Sequence, residues 1–268
     1  MPSSLLNDIA PFVDETLGLM IGKSPRYGNK TNYLRLTEKS ATNFDGQRII
    51  EKIYAAIESC RLKSTYCKAP SKRNWDLIPR RSASADPAKL EVTLERDIVD
   101  LGGESWSAQV PTSSGLWDHR QAKRSAIDLV HKCGDCSYEF IELKVKIKSG
   151  TPLFAAMEIL LYGVLYIYSR VNAAPLGYKI EEKPLFKAKR IHLKVLAPEG
   201  YYANCNLGWL EKRIERGLSD FLRSKQCDLQ MDLKFESFPK GFLAKKSYPS
   251  NSEICQALDA RHVVYPLD

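Results

Sequence analysis

Ser125-Ala-Ile-Asp-Leu-Val-His131 and Tyr138-Glu-Phe-Ile-Glu-Leu-Lys-Val-Lys146, joined through the turn Lys132-Cys-Gly-Asp-Cys136, decide the fold. Both stretches read as strands, and so short a turn makes them neighbours in one sheet. Side chains alternate faces along a strand. Glu142 and Lys144 therefore point the same way, while Phe140, Ile141 and Leu143 supply apolar cover. If the strands pair through the turn, Asp128 comes beside Glu142 at one end of the sheet. Two acids and a lysine then converge, the oxygen-rich arrangement that a hard divalent cation takes.

Upstream of the hairpin, Pro87-Ala-Lys-Leu-Glu91 opens a helix running to about Leu101, stopped by Gly102-Gly103. It carries Glu91 and Glu95 one turn apart. A first strand around 105–110 follows, then a long polar segment from Pro111 to Arg124 holding Asp118, His119, Arg120, Lys123 and Arg124. Downstream, Gly150-Thr151-Pro152 starts an apolar helix to Tyr168. Residues 190–196 alternate as a strand, 208–225 read as an amphipathic helix and 231–238 as another strand. Near the N-terminus a short helix is expected within 5–19. Ile49, Ile50, Ile53, Tyr54 and Ile57 recur at helical spacing over 42–62, with Asn43 or Asp45 as N-cap. A last short helix is expected near 252–260. The chain thus divides into a partly helical N-terminal extension with a basic loop (1–86), an α/β core (87–238) and a C-terminal tail packing on the core (239–268).

A chain of 268 residues with a 44% apolar fraction can bury a sizeable core, which excludes wholesale disorder. A net charge of +8 favours a polyanionic partner or a plainly solvated surface. Seven cysteines, an odd number, behind a polar N-terminus without a signal peptide fit a reducing cytoplasm. The apolar run from Pro152 to Tyr168 contains Glu158 and is short of the roughly 20 residues that span a bilayer, so it reads as a buried helix and no membrane partner is expected.

An acid in a first helix, Asp128 on the second strand and Glu142-x-Lys144 on the third, in the order αβββαβαβ, resembles the PD-(D/E)XK nuclease superfamily over roughly 87–238, with Ile127 where the family name has proline. Glu-x-Lys alone is weak, since about one match is expected by chance in such a chain. Glu181-Glu182-Lys183 lacks strand context, and Asp232-Leu233-Lys234 lacks a preceding strand with a matching acid. Only Glu142 has every neighbour. The resemblance implies a restriction-endonuclease-like fold, a central mixed sheet flanked by helices. It also implies a magnesium- or manganese-dependent nuclease that hydrolyses phosphodiester bonds, as a DNA endonuclease in preference to an RNA enzyme. Asp128, Glu142, the Leu143 carbonyl and Glu95 would hold the metal, with Glu91 as Glu95's rival, and Lys144 would position water or offset phosphoryl charge. A homodimer or larger nuclease complex is compatible with it. The alternative is a nucleic-acid-binding or assembly module that keeps this fold without cutting.

Glu158, the single charge in the apolar helix, needs a partner, and Lys144 and Lys146 are the nearest candidates. Glu158-x-x-x-Tyr162 looks like the Gln-x-x-x-Tyr element of RecB-type members, with glutamate for glutamine, and makes both residues possible accessories; a core tyrosine beside a salt-bridged glutamate is the other reading. Basic residues interleaved with an aromatic over 61–81 suit phosphate contact with base stacking, or a solvated loop. Lys72, Arg73, Trp75, Arg120, Lys123, Arg124 and Lys146 are the candidate nucleic-acid contacts. Lys179, Lys183, Lys187, Lys189 and Arg190 form a further basic run, either a backbone-binding surface or a solvated loop. Cys133-Gly-Asp-Cys136 is half a zinc knuckle in need of a second ligand pair, or a hairpin turn with reduced thiols.

Overall fold

The computed structural model describes residues 5–17, 44–63, 69–77, 90–116, 126–147, 150–203, 206–243 and 247–266. The central hairpin forms as its alternation predicts. Strand β2 (Ala126–Gly134) pairs antiparallel with β3 (Ser137–Leu143), Leu129 facing Ile141 and Val130 facing Phe140. β1 (Trp106–Pro111) adds antiparallel to β2, and β4 (Arg190–Pro198) and β5 (Gln230–Phe238) add parallel beyond β3. A two-residue β6 (His262–Val263), which is too short to carry any alternation and was not expected, closes the far edge against β5. The result is a six-stranded mixed sheet in the order β1 to β6, with helices on both faces.

Among the described residues six α-helices flank it: α1 (Leu5–Thr16), α2 (Gly46–Lys63), α3 (Leu90–Gly102), α4 (Pro152–Val171), α5 (Gly208–Ser224) and α6 (Asn251–Asp259). Their ends follow local chemistry. The Asp45 carboxylate accepts the Arg48 amide at 3.1 Å, deciding the α2 cap, and Thr151 Oγ1 accepts the Phe154 amide at 3.1 Å beside Pro152. Helix α3 stops where Gly103 turns to φ +60. Helices α4 and α5 are the crossovers that parallel strands require.

Helix α4 is 20 residues long and apolar enough to cross a membrane by length and composition, but 83% of that apolar window is buried inside the fold, as in a core helix. Gly163 lets it lie against β4, since a Cβ there would meet Leu193 Cδ1 at 2.7 Å. The main core packs α4 and α5 on one face of the sheet, and Val13 of α1 and Ile49, Ile53 and Ile57 of α2 belong to it. The opposite face carries a smaller core in which Leu94 and Ile98 of α3 and Ile254 and Ala257 of α6 cover Ile141, Leu143 and Leu196.

Two expectations about the basic stretches are corrected here. Trp75 is fully buried and stacks on Phe140 with ring centroids 6.3 Å apart, edge-on to Tyr166 at 5.4 Å. An indole inside the core has no face left for a base. Lys183 is likewise buried rather than on a binding surface, its ammonium bound to the Asp76 carboxylate and the Lys72 carbonyl. The same turn is fixed by Asn74, which donates to Ser114 O and Tyr178 Oη at 2.9 Å each. Lys72 and Arg73 are thereby exposed on a rigid turn.

Candidate metal centre

The hairpin register, continued one step past Leu129 and Ile141, sets Asp128 opposite Glu142. Asp128 Oδ2 accepts the Leu143 amide at 2.9 Å, tying the two strand ends together. Lys144, just beyond β3, anchors its own amide to the Leu196 carbonyl at 2.9 Å and turns its ammonium back to Glu142 Oε1 at 2.5 Å and Glu158 Oε2 at 3.4 Å. Of the two lysines proposed for Glu158, Lys144 is the partner; Lys146 is exposed.

From the preceding helix both acids arrive. One carboxylate oxygen each from Glu91, Glu95 and Asp128 lie within 4.8 Å of one another, so a choice between the two glutamates is not needed. Helical spacing puts them on one face a turn apart. Gln109, which the sequence reading passed over, organises the group. Its Nε2 donates to Glu95 Oε2 at 2.8 Å and lies 3.5 Å from Asp128 Oδ1. Its backbone sits at φ +52 inside a strand, a conformation that costs a non-glycine residue energy and collects at functional sites. Only a polar side chain in a buried strand hinted at it in the sequence.

These carboxyls resist ionisation together. Burial and then the neighbouring Glu142 and Glu95 carboxylates raise the Asp128 carboxyl well above its usual range. Burial, opposed by the Gln109 hydrogen bond and reinforced by Glu91 and Glu142, pushes Glu95 up to about 7. Burial raises Glu91 too. Burial and Glu142 push Glu158 up to about 8, and its hydrogen bond to Glu142 helps keep the proton on. Lys144 goes the other way: burial alone would lower it, but Glu142 and Glu158 hold its charge firmly. Tyr162 lies beside the group, its hydroxyl raised by burial and then by Glu142 and Glu158.

Glu91, Glu95 and Asp128 thus gather beside Glu142, Glu158 and Lys144, and Glu95 Oε1 is buried with no hydrogen bond among the described residues. An all-oxygen donor set of this kind fits a hard divalent cation such as magnesium or manganese, and it fits no soft metal.

A stability effect follows. An unfolded glutamate loses its proton near 4.5, whereas folded Glu95 keeps it to about 7. The fold binds the extra proton across that window, so metal-free stability falls as pH rises through it and the full cost is present above about 7. Glu95→Gln keeps an acceptor for Gln109 and removes the charge. Its melting temperature without metal is expected to exceed the parent's at pH 8, by an amount equivalent to roughly 3 kcal/mol, and to match it below pH 4.5. A hard divalent cation such as magnesium should stabilise the parent more than the variant, which lacks one anionic donor. Equal melting curves at pH 8 would show that Glu95 carries no such penalty.

The other expected residues are less concentrated. Lys146 is exposed, with Lys72 and Arg73 exposed on their separate turn, while Arg120, Lys123 and Arg124 lie outside the described residues. Asp232 and Lys234 of the Glu-x-Lys-like stretch on β5 are engaged elsewhere, Asp232 with His192 at 2.9 Å and Lys234 with Glu211 at 3.5 Å. Cys133 and Cys136 are free and exposed. No protein-family model, no curated protein and no solved structure matches this chain.

Proposed function

We propose that this protein is a metal-dependent nuclease of restriction-endonuclease-like fold that hydrolyses phosphodiester bonds, in DNA rather than RNA, in the cytoplasm. The observation that carries the reading is the convergence of Glu91, Glu95 and Asp128 beside Glu142 and Lys144. An acid cluster serving only to neutralise cations would pair each acid with one; here Lys144 contacts only Glu142 and Glu158, and the Glu91, Glu95 and Asp128 carboxyls are all raised by burial.

Asp128, Glu142, the Leu143 carbonyl and Glu95, with Glu91 as a further donor, would hold magnesium or manganese, which when bound supplies Lewis acidity toward a phosphate and a water. The chain's own residues do the rest. Gln109 fixes the Glu95 carboxylate, and the Leu143 amide fixes that of Asp128, so neither must reorganise when phosphate arrives. Lys144, charged and held between Glu142 and Glu158, offsets the negative charge that builds on phosphoryl oxygens. Burial and Glu142 raise the Glu158 carboxyl to about 8 without metal, and its hydrogen bond to Glu142 favours the protonated form. A net charge of +8, with Lys72, Arg73 and Lys146 exposed, draws the polyanion in.

The test is digestion of circular single-stranded DNA, supercoiled plasmid and linear RNA with magnesium, with manganese and with EDTA, comparing the parent with Asp128→Ala. Metal-dependent cutting of circular DNA by the parent alone is the expected result and makes it an endonuclease. Salt-sensitive DNA binding without cutting, equal in both proteins, would replace this reading with a non-cleaving binding module.

A further inference from the structure

The tip of the β2–β3 hairpin has no role in the site just described. Cys133 and Cys136 flank Gly134-Asp135 there, both exposed and both free thiols. Each occupies a break in regular strand geometry. The pairing shifts between Lys132 and Gly134, so Cys133 is the bulged residue, and a bulge re-aims a side chain that strict alternation would send elsewhere. Cys136 stands at φ +57, where glycine is the usual occupant. Its conformation is locked from below, since its carbonyl accepts the Lys189 amide at 2.8 Å and the Arg190 amide at 3.2 Å. Ser137 Oγ lies 3.3 Å from Cys133 Sγ, close enough to donate to a thiolate.

Two thiols on one tight turn are half of a tetrahedral zinc set. Within the chain the set is not completed among the described residues. Neither sulfur belongs to a cluster of three or more ligating side chains there, and His131, two residues from Cys133, is committed to Glu139 at 2.9 Å. Cys60 and Cys227 are part-buried against the main core. The exposed tip instead leaves room for an identical tip. Lys132 beside it is a cation of the kind a doubly negative tetrathiolate centre favours, whereas the Lys189 ammonium behind it is paired with Asp228 and the Arg190 guanidinium bonds Gln230.

We propose that Cys133 and Cys136 bind zinc jointly with the same pair from a second copy of this chain, so that one ion joins two protomers tip to tip. Each chain gives up its two thiol protons on binding. The tip lies roughly 15–20 Å along β2 from Asp128, so the candidate metal centre is untouched by it.

The full chain, purified in reductant without chelator and titrated with zinc chloride, should hold one zinc per two chains and have the mass of a dimer by light scattering. Chelator should return it to monomer. The Cys133→Ser/Cys136→Ser double variant should stay monomeric and zinc-free with an unchanged melting temperature. Cobalt in place of zinc should give the intense visible absorption of a tetrahedral tetrathiolate. One zinc per monomer, no zinc at all, a dimer that persists in the double variant, or an intramolecular disulfide surviving in reductant would each overturn the proposal. None of these readouts depends on nuclease activity.

Discussion

Lys144→Ala is expected to lower the DNA cleavage rate by about 10²–10³-fold with little change in KM, because the charge it offsets is greatest in the transition state. The Lys144 side chain is 12% exposed and its ammonium touches Glu142 at 2.5 Å and Glu158 at 3.4 Å, so its position is set by the site and not by solvent. Removing it also leaves Glu142 buried without its cation, a loss of order 3 kcal/mol in stability. Two further variants separate these effects. Lys144→Arg keeps the charge but replaces a compact point donor by a planar fork, and should fold like the parent while cleaving poorly. Lys144→Ala/Glu158→Gln tests whether the second acid needs the lysine; since Glu158 holds its proton to about 8, it should be no less stable than Lys144→Ala at pH 7. Single-turnover cleavage and chemical denaturation on the same preparations provide both numbers. Parental cleavage rates in Lys144→Ala would remove the lysine from the reaction.

Trp75→Ala is expected to destabilise the fold by about 3–5 kcal/mol, read as a lowered urea midpoint at unchanged slope. The indole is wholly buried among Phe140, Tyr166 and Phe186, and its Nε1–H donates no hydrogen bond among the described residues that a smaller residue would forfeit. The loss is therefore one of apolar burial and ring packing, and Trp75→Phe should recover much of it. The experiment also decides between this packing role and the base-stacking role that the neighbouring lysines and arginine suggest. A base-stacking tryptophan would lose DNA affinity on replacement and keep stability. Here the stability changes, and any loss of affinity tracks the unfolded fraction. A cavity at Trp75 opens against Phe140, which lies two residues before Glu142 on β3.

The alternation of residues 126–143, the Gly102-Gly103 stop and the apolar period of 152–168 determined, by themselves, which elements form and which way their side chains point. Those are local properties, set by backbone geometry over a few residues. Asp128, Glu142 and Lys144 were legible for the same reason: a hairpin brings them together whatever surrounds it. What lies opposite a side chain is not local. Lys183 meets Asp76 across 107 residues of sequence, and nothing near either residue distinguishes that buried pair from a solvated basic loop. Trp75 follows two exposed cations and still enters the core, because the turn at Asn74 is fixed to Ser114 and Tyr178. Glu91 and Glu95 were both visible as helix acids, but only the packing of α3 against β1, with Gln109 between, decided that both reach Asp128. The tertiary structure chose among polar residues by supplying partners, since a buried charge is tolerable only where a distant residue answers it.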